Sequence, residues 1–416
     1  MLDINKIRDN KEAVRTALLK RMEVDKLDPI LKKILRLDKE RRKLIQKTEE
    51  LKAKRNIHSK TKPTPETIEQ MKKIGEEIKE IDLKLGKVEA KFNETMAELP
   101  NTPADDVVSG GKENNKIVKT HLEKPKFDFK PKDHVELATS LDIIDYERGV
   151  KMSGNGFWIY KGQGAILEWA LLSYFIEFHI KNDYQFIIPP FLLTEESAYT
   201  SGHLPKFRED LFWTQDKTCL NATSEMMLGN YHRDEILDEK LLPLKYCAYS
   251  TCFRREAGSY GKEERGMIRG HQFNKIEMFQ LTKPEDSARA FDELVENAQK
   301  LVEGLGLHYQ TTLLAAGDAS AAMAKTKDIE VWIPSMEVYK EVSSASNAMD
   351  YQARRGNIRF KNHQTDKNEF VHTLNASGLA TSRLFLAILE QCQQADGSVK
   401  VPAVLHKFTG FDTVSK

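Results

Sequence analysis

The chain has 416 residues, which is long enough for two or three domains with a sizeable buried core. Its 64 basic and 63 acidic residues leave a net charge of +1, so overall charge does not single out a nucleic-acid or membrane partner. The charged fraction of 31% and the mean hydropathy of -0.54 favour a chain in which one long helical part is solvated.

The sequence predicts a cytoplasmic protein with no membrane partner. It has no run of 18 or more apolar residues, and its first residues, MLDINKIRDN, lack the apolar stretch of a secretory signal and carry acids that a transit peptide avoids. The four cysteines form no C-x-x-C pair, so we expect free thiols in a reducing compartment rather than disulfides or a metal site. These cysteines are Cys219, Cys247, Cys252 and Cys392.

Two long stretches near the start have the spacing of coiled-coil helices. After a short predicted helix over about residues 1–25, core positions recur at intervals of four and three, stop at the polar stretch 58–65, and then resume. The core positions are Ile30, Ile34, Leu37, Arg41, Leu44, Thr48, Leu51 and Arg55, then Met71, Ile74, Ile78, Ile81, Leu85, Val88, Phe92, Thr95 and Leu99. Thr64 before Pro65 is a typical helix start, and Pro100 stops the pattern. We therefore predict an antiparallel coiled-coil arm over about residues 27–99, with helices about 40–50 Å long.

Two interpretations of this arm stay open. Most coiled coils serve as dimerisation or spacer devices. The alternative is an arm that reaches a large partner, because its outer positions and its tip (His58, Lys60 and Lys62) are rich in basic residues that can contact phosphates without reading bases. The basic outer residues are Lys32, Lys33, Arg36, Lys39, Arg42, Lys43, Lys47, Lys52 and Lys54. Acids are interleaved among them, so charge alone does not decide between the two.

Residues 100–128 have the composition of a linker, with PNTPADD followed by SGGKENN. We place the domain limit here, with a helical domain at 1–110 and a compact α+β domain at 111–416. In the second domain we predict strands at 157–160, 185–193, 329–334 and 337–344, a turn into a helix at 219–231, and helices at 165–180, 287–305 and 379–394. Predicted strands come in neighbouring pairs, so the sheet should be mostly antiparallel with helices on its faces.

Two of these elements carry more specific expectations. Residues 165–180 are apolar nearly all round, which predicts a helix buried against the sheet. Pro189 and Pro190 cannot donate to a sheet ladder, so their strand should lie at an edge, a bulge or an interface.

The stretch 251–281 is typical of a strand, a Gly-rich turn and a second strand. Alternation places Arg254 and Glu256 on one face of the first strand. On the second strand one face carries Arg269, His271, Phe273, Lys275 and Glu277, and the other carries Ile268, Ile276 and Met278. An ordinary exposed sheet face is one interpretation. Two arginines, two glutamates and an aromatic ring also suit the phosphates and the base of a nucleotide.

Several stretches resemble the motifs of class II aminoacyl-tRNA synthetases, in the form found in seryl-tRNA synthetases. FRREAGS at 253–259 and RGHQFNKIE at 269–277 resemble motif 2, the strand around the paired prolines resembles motif 1, and GLATSR at 378–383 resembles motif 3. NATSE at 221–225 resembles the serine-contacting loop, and KEVSSASN at 340–347 with YQARR at 351–355 resembles the metal-binding strand and the segment after it. The arm and linker match in position and length, so the resemblance covers essentially the whole chain.

The resemblance implies an α+β fold: an antiparallel sheet flanked by helices, preceded by the all-α antiparallel coiled-coil arm, in a homodimer formed through motif 1. It implies that L-serine and ATP give seryl-adenylate and pyrophosphate, and that the seryl group then moves to tRNA(Ser), which the arm grips. It leaves open tRNA(Sec) as a second acceptor. Two rival functions are a serine-activating ligase for a carrier protein, which would be expected to lack the full arm, and a non-catalytic coiled-coil interaction protein.

The resemblance also implies roles for particular residues. The catalytic set is Arg254, Glu256, Arg269, Glu277 and Arg383. The serine-binding set is Thr223, Ser224, Glu225, Glu277 and Ser377. The ATP-binding set is Arg254, Arg255, Glu256, Phe273, Glu341, Val342, Ser343, Ser344 and Arg383. The Mg²⁺ ligands are Glu341 and Ser344, whose oxygens suit that hard cation.

Within these sets we expect a division of labour. Arg254 would contact the α-phosphate and the serine carboxylate, with Arg269 and Arg383 on the outer phosphates, because guanidinium binds both kinds of oxyanion bidentately. Glu256 would accept from the adenine amino group and Phe273 would stack on the ring, with Arg383 able to cover its other face.

Glu277 and Ser377 would hold the serine hydroxyl, and Thr223 and Glu225 the ammonium group. Ser377 could instead be only a helix N-cap, and Glu341 only a solvated strand residue. His271 is interpreted as structural.

Some positions depart from the family's commoner pattern, among them Ala345 and Ala348, which stand where many relatives have cysteine. Arg255 stands where a small residue is frequent, and its side chain should point away from Arg254. Lys327 stands where an aromatic residue is frequent, and its sequence context gives it no role.

Overall fold

The computed structural model describes residues 1–58, 64–256 and 266–416, and the chain divides into two compact units, Met1–Thr102 and Pro103–Lys416. The domain limit placed after residue 110 stays a prediction. Lys60 and Lys62 of the predicted arm tip, and the turn region 257–265 of the predicted hairpin, lie outside the described residues. Within the described ranges, no helix combines the length and apolar character that crossing a membrane requires.

The first unit is helical. Its helices are α1 (Ile4–Asp9), α2 (Lys11–Leu18), α3 (Val24–His58) and α4 (Pro65–Glu98). The single short helix predicted over residues 1–25 is wrong, because the chain breaks at Asn10 between α1 and α2. The predicted start of α4 is confirmed: Pro65 is its first residue, and Thr64 Oγ1 accepts a hydrogen bond from the Thr67 amide at 3.2 Å.

Helices α3 and α4 form the predicted antiparallel pair. Arg41 Nε lies 2.9 Å from Glu89 Oε1. Farther along α3, Lys47 Nζ lies 2.6 Å from Glu77 Oε1, so later residues of α3 meet earlier residues of α4. The buried apolar seam between them includes Leu37, Leu51, Ile78, Ile81, Val88 and Phe92. The nine basic residues predicted on the outer positions of α3 are exposed, although Lys33, Arg42 and Lys47 also form ion pairs with acids of the arm.

The second unit is an α+β domain. Its strands are β1 (Lys116–His121), β2 (Ile144–Asp145), β3 (Ile159–Tyr160), β4 (Gln185–Ile187), β5 (Leu192–Thr194), β6 (Thr218–Leu220), β7 (Ile236–Asp238), β8 (Leu244–Phe253), β9 (Gln272–Thr282), β10 (Tyr309–Leu313), β11 (Lys325–Ile333), β12 (Val338–Met349), β13 (Arg359–Asn362), β14 (Lys367–Phe370), β15 (His372–Ala380), β16 (Val399–Lys400) and β17 (Thr413–Val414). Its helices are α5 (His134–Ser140), α6 (Tyr146–Ser153), α7 (Gln163–Lys181), α8 (Glu195–Thr200), α9 (Glu225–Leu228), α10 (Ser287–Gly304), α11 (Tyr351–Gly356), α12 (Thr381–Gln391) and α13 (His406–Thr409).

The main sheet has the strand order β1-β10-β11-β12-β15-β9-β8-β4. Its neighbouring strands are antiparallel except for β4, which runs parallel to β8, so the predicted antiparallel character is confirmed. Buried apolar residues of α7, α10 and α12 pack against the sheet in one large core. The central strands β12, β15 and β9 lie side by side over this core.

Several predicted elements differ in extent. The strand predicted at 185–193 is two strands, β4 at the sheet edge and β5, with Pro189 and Pro190 between them because neither can donate to a ladder. The helix predicted from residue 379 begins at Thr381, because β15 continues through Ala380. Strand β15 itself was not predicted, since HTLNASGLA has mostly small and polar residues without apolar alternation.

Helix α7 is buried against the sheet, as predicted, but one side of it is exposed. Its residues Ile166, Trp169 and Ile180 are 45%, 59% and 52% exposed. Ile188 and Leu192, in and beside the proline segment that follows β4, are also exposed. These five residues form what we call the α7 apolar surface. Isolated exposed apolar residues are common, whereas a contiguous exposed apolar patch can serve as an interaction surface.

Candidate active site

The β8–β9 hairpin carries the centre of the site, but its strands are shorter than predicted. Strand β8 ends at Phe253 and β9 begins at Gln272, so Arg254, Arg269 and His271 lie beyond the paired strands and the predicted alternation does not govern them. The His271 ring is held by its Nδ1 contact with the Arg254 carbonyl oxygen at 2.9 Å and packs against neighbouring rings. It is not a lining residue of the cleft, in agreement with a structural role.

A cleft lies along β9, β12 and β15 and brings together most of the predicted residues. Its larger cavity, of about 410 Å³, is lined by Thr223, Glu225, Arg254, Glu256, Arg269, Glu277, Glu341, Ser344 and Ser377. An adjoining cavity of about 60 Å³ shares five of these residues and adds Phe273, Val342 and Arg383. The volume of the larger cavity is that of a small-molecule site.

Three predicted residues lie outside this lining. The Ser224 hydroxyl donates to Ser250 Oγ at 2.7 Å in the core, and the Ser343 hydroxyl donates to the carbonyl oxygen of Ser377 at 2.6 Å. Arg255 is exposed, and its guanidinium lies 6.0 Å from the Phe212 ring. Ser224 and Ser343 therefore support the lining from behind, while Arg255 points away from the cleft.

One part of the larger cavity is built around two buried carboxylates. Glu225 is the first residue of α9, and Glu277 lies in the middle of β9; they are 7% and 1% exposed. Lys275, two residues before Glu277 and therefore on the same face of β9, places its Nζ 2.5 Å from Glu277 Oε2. The same Nζ donates to Thr223 Oγ1 at 2.6 Å. Two acids and one base are thus desolvated together, which suits a cationic ligand group.

Glu225 is strongly affected by its burial in this group. Burial, together with the nearby Glu277, raises the pKa of Glu225 to about 7. Gln352 opposes this by donating from Nε2 to Glu225 Oε1 at 2.6 Å. A carboxyl group with this pKa gains charge readily when a cation arrives beside it.

The arginine-rich part of the cleft lies where β8 ends and β9 begins. Arg269 forms an ion pair with Glu256, while Arg254 donates from Nε to the carbonyl oxygen of Ala222 at 3.3 Å. The Arg254 guanidinium also lies 5.2 Å from the centre of the Phe273 ring. Guanidinium groups and an aromatic ring are thereby gathered where a nucleotide can contact both.

Arg383 is fixed by the backbone around it. It lies in the first turn of α12, where a positive charge opposes the helix dipole. Its guanidinium donates to the carbonyl oxygens of Ile268 at 3.0 Å and Glu341 at 2.9 Å. These bonds hold it towards the adjoining cavity, so Arg383 is positioned before any ligand binds.

An acidic corner lies where β11 pairs with β12. Glu341 and Ser344 are on β12, and Asp328 of β11 is the partner of Ser344 in the register. Burial and the neighbouring Glu341 raise the pKa of Asp328 well above its usual range. Its Oδ1 has no hydrogen-bond partner among the described residues. Two carboxylates and a hydroxyl at one corner are a donor set that fits Mg²⁺, which takes few protein ligands and completes its shell with phosphate oxygens.

Sequence reasoning gave no site role to several residues of the cleft. Lys275 was placed on the correct face but without a function. Asn375 and His203 also line the cavity. Burial, with nearby positive charges, lowers the pKa of His203 to about 3, so its imidazole is neutral. Asn375 escaped notice because β15 was not predicted, and His203 because its loop has no periodic pattern.

Lys327, which had no predicted role, lies outside this lining. Its Nζ donates to Asp292 Oδ1 at 3.2 Å and lies 5.4 Å from the Phe291 ring. Lys327 therefore secures α10 against β11.

Family models match both parts of the chain. The model described as the tRNA synthetase class II core domain (G, H, P, S and T) matches residues 210–392, and the model of the seryl-tRNA synthetase N-terminal domain matches residues 1–103. Serine–tRNA ligase 2 of Clostridium acetobutylicum is 56% identical, with 99% of this chain and 100% of the relative covered. The serine–tRNA ligase of Pelodictyon phaeoclathratiforme is 44% identical, with 100% of this chain and 99% of the relative covered.

Solved structures agree in fold over the whole length. The seryl-tRNA synthetase of Pyrococcus horikoshii complexed with ATP is 34% identical and superposes with a TM-score of 0.92, covering 100% of this chain and 99% of that one. The cytoplasmic serine–tRNA ligase of Naegleria fowleri in complex with AMP is 32% identical, with a TM-score of 0.87 over 100% of this chain and 99% of that one.

Proposed function

The chain belongs to the seryl-tRNA synthetase family, and we infer from this membership that the cleft is where it joins serine to tRNA. The protein is a serine–tRNA ligase: it uses ATP to activate L-serine as seryl-adenylate and transfers the seryl group to tRNA(Ser). The observation that carries the assignment of the site is the pair of buried carboxylates, Glu225 and Glu277, in one cleft with Arg254, Arg269 and Arg383.

The roles of the arginines follow from the charge that develops in the first step. The serine carboxylate is already ionised at neutral pH, so it attacks the α-phosphorus of ATP without a general base, and pyrophosphate leaves. In this proposal Arg254 bridges the carboxylate and the α-phosphate, while Arg269 and Arg383 contact the outer phosphates. Catalysis by these groups is positioning and electrostatic stabilisation of the phosphoryl oxygens. Phe273 stacks on the adenine ring, and Glu256 accepts from its amino group.

Recognition of serine falls to the buried carboxylates and their neighbours. Glu225 holds the ammonium group, and Glu277 with Ser377 holds the hydroxyl. Thr223, expected on the ammonium group, acts through Glu277 instead, because its side-chain oxygen already accepts from Lys275 and from the Glu225 amide. Ser377 lies within β15, and the residue before the first turn of α12 is Ala380, so Ser377 is not the N-cap of that helix. A site that bonds a substrate hydroxyl rejects the analogue without it by about 10⁴ or more, because its own buried polar groups are then left unpaired.

The acidic corner is the proposed site of Mg²⁺. Glu341 and Ser344 would hold the ion, with Asp328 as a second carboxylate beside them. The bound ion supplies positive charge that neutralises ATP phosphates during the displacement. Arg383 donates to the carbonyl oxygen of Glu341 and is thereby anchored to β12, the strand that carries Glu341 and Ser344. This bond keeps its phosphate contacts at a fixed position relative to the acidic corner.

The arm formed by α3 and α4 is the proposed tRNA contact. Its exposed basic residues can meet the phosphates of a large nucleic acid, which favours the second of the two interpretations of the arm. tRNA(Sec) as a further acceptor stays a prediction. The full-length match to serine–tRNA ligases lends no support to the carrier-protein ligase or to the non-catalytic alternative.

We further propose a homodimer that assembles through the α7 apolar surface and the edge strand β4. Five exposed apolar residues beside an unpaired sheet edge are the features that a second copy can cover. A cytoplasmic location stays a prediction from the sequence.

The function is tested by serine-dependent exchange of pyrophosphate into ATP, followed by charging of tRNA(Ser). Exchange that requires serine, and that alanine and threonine do not support, is the expected result. Equal exchange with alanine would contradict the assignment of the carboxylate pocket.

A further inference from the structure

Lys275 is buried between two serine-pocket residues, and we propose that it is a specificity-determining positioning residue. In this role it orients the Thr223 hydroxyl and the Glu277 carboxylate so that Glu277 can only accept a hydrogen bond from the amino-acid side chain. The inference deepens the proposed function, because it rests on the serine pocket described above. Lys275 acts through its two neighbours rather than through a bond to the substrate.

The direction of the hydrogen bonds at Thr223 follows from what each partner can do. An ammonium group only donates, so Lys275 Nζ donates to Thr223 Oγ1 at 2.6 Å. The backbone amide of Glu225 donates to the same oxygen at 3.2 Å. Both acceptor positions of the hydroxyl are then filled. Its single proton is therefore directed to Glu277 Oε2, 3.3 Å away.

Glu277 is consequently held from both sides. Its Oε2 accepts from Lys275 and Thr223, and its Oε1 accepts from Asn375 Nδ2 at 3.2 Å. A carboxylate offers about four acceptor positions, and three of them are occupied. The remaining position can only accept, so it selects a side chain that donates. Serine does this through its hydroxyl, and alanine cannot.

Lys275 also adjusts the charge of the pocket. Glu225, Glu277 and Lys275 are all buried, at 7%, 1% and 4% exposure. With Lys275 present, two carboxylates and one ammonium leave one negative charge, which a single amino-acid ammonium group neutralises. Without it, two desolvated carboxylates would face each other and compete for protons or other cations.

The substitution Lys275→Met tests this role, with Lys245→Met as the matched control. Lys245 is on the neighbouring strand β8, and its Nζ lies 2.5 Å from Glu293 Oε1, outside the cleft lining. For Lys275→Met we expect the KM for serine in pyrophosphate exchange to rise at least about 30-fold and the preference for serine over alanine to fall about tenfold. The KM for ATP should stay within about threefold, and Lys245→Met should change none of these.

Two further variants separate positioning from loss of fold. Lys275→Arg keeps the charge and the donors, so it should recover part of the serine KM and of the preference over alanine. Lys275→Met combined with Glu277→Gln removes both charges of the pair, which protects folding if the single variant fails. When Glu277→Gln is already present, adding Lys275→Met should raise the KM for serine by less than about threefold, because the lysine acts through the carboxylate.

The proposal is overturned if folded Lys275→Met keeps the KM for serine and the preference for serine over alanine. It is also overturned if the KM values for serine and ATP rise together. A third contrary result is a double variant whose increase in the KM for serine equals the product of the two single increases. Absence of serine-dependent exchange in the unaltered chain would instead overturn the proposed function.

Discussion

Gln352 donates from Nε2 to Glu225 Oε1 over 2.6 Å, and its own carbonyl oxygen accepts from the Thr373 hydroxyl at 2.7 Å. Gln352 Nε2 also donates to the carbonyl oxygen of Ser201 at 2.8 Å, and because a carbonyl oxygen can only accept, this end of the amide is the NH₂ group and presents its donor to Glu225. Glu225 is therefore held as an acceptor in the pocket even though burial favours its neutral form. The affinity for serine should depend on how far this carboxyl group is ionised.

Serine binding should weaken below neutral pH. The pKa of Glu225 is raised to about 7, so at lower pH the carboxyl group is protonated and loses its attraction for the ammonium group. We expect the KM for serine in pyrophosphate exchange to be about tenfold higher at pH 6 than at pH 8. Glu225→Gln should bind serine weakly and without this pH dependence. A KM that is constant across this range, or the same profile in Glu225→Gln, would contradict the assignment.

Loss of Glu277 should affect serine far more than ATP. Glu277→Ala would leave Lys275 buried without its partner, so the smaller change Glu277→Gln is the cleaner test. We expect kcat/KM for serine to fall about 10³-fold while ATP binding is largely kept. Glu293→Gln, which removes the partner of Lys245 outside the cleft, is the control. Unchanged use of serine by Glu277→Gln would refute its role.

Replacement of Arg383 should slow the chemical step. Lysine keeps the positive charge but cannot donate to the Ile268 and Glu341 carbonyl oxygens while also contacting phosphate as a planar fork. For Arg383→Lys we expect kcat of pyrophosphate exchange to fall about 10²–10³-fold. Arg354→Lys, at an ion pair with Asp350 outside the cleft lining, should stay near the unaltered rate. Equal losses in both variants would point to stability rather than catalysis.

Shortening the arm should separate the two reaction steps. Replacing residues 45–84 by a short turn keeps the Arg41–Glu89 pair and the buried base of α3 and α4. We expect serine-dependent exchange within about twofold of the full chain, and charging of tRNA(Ser) lowered by 10²-fold or more, because phosphate contacts supply much of nucleic-acid affinity. Normal charging by the shortened chain would show that this part of the arm does not bind tRNA.

A charge in the α7 apolar surface should dissociate the proposed homodimer. Ile188, beside the edge strand β4, is 70% exposed. Ile188→Glu should sediment as a monomer at concentrations where the unaltered chain is a dimer, since the charge would be buried without a partner. Ile117 is 61% exposed on β1, at the opposite edge of the sheet, so Ile117→Glu should remain dimeric. A monomeric unaltered chain would remove the dimer proposal.

The fold was predictable where residues repeat or alternate. Heptad spacing predicted the arm. Thr64 with Pro65 predicted the start of α4, because helix capping depends only on neighbouring residues. Strand β15 was missed because its burial comes from β9 and β12 on both sides, and its small residues carry no periodic pattern of their own. The exposed side of α7 was not predicted because α7 has apolar residues on nearly all sides. The sequence alone does not distinguish apolar residues that the core covers from those that lie on the surface.

Much of the candidate site could be predicted because its residues cluster in short motifs. Thr223, Glu225 and Glu277 were assigned to one ligand and do line one cavity. Contacts that join distant segments were not predictable. Lys275 and Thr223 are 52 positions apart, and their bond depends on how the segment just before α9 meets β9. Arg255 was assigned to ATP by its neighbours, but the chain turns it outward once β8 has ended.

Strand β15 runs without interruption into α12, so Asn375 and Ser377 of the cavity and Arg383 of its neighbour are carried by one short segment. Gly378 between them packs so tightly that a Cβ there would lie 2.2 Å from His179 Nε2. For redesign towards another amino acid, the side chains at 375 and 377 can be exchanged one by one. The length of the segment cannot change. A single insertion would displace Arg383 from the phosphates, and it would displace the specificity residues of the same segment as well.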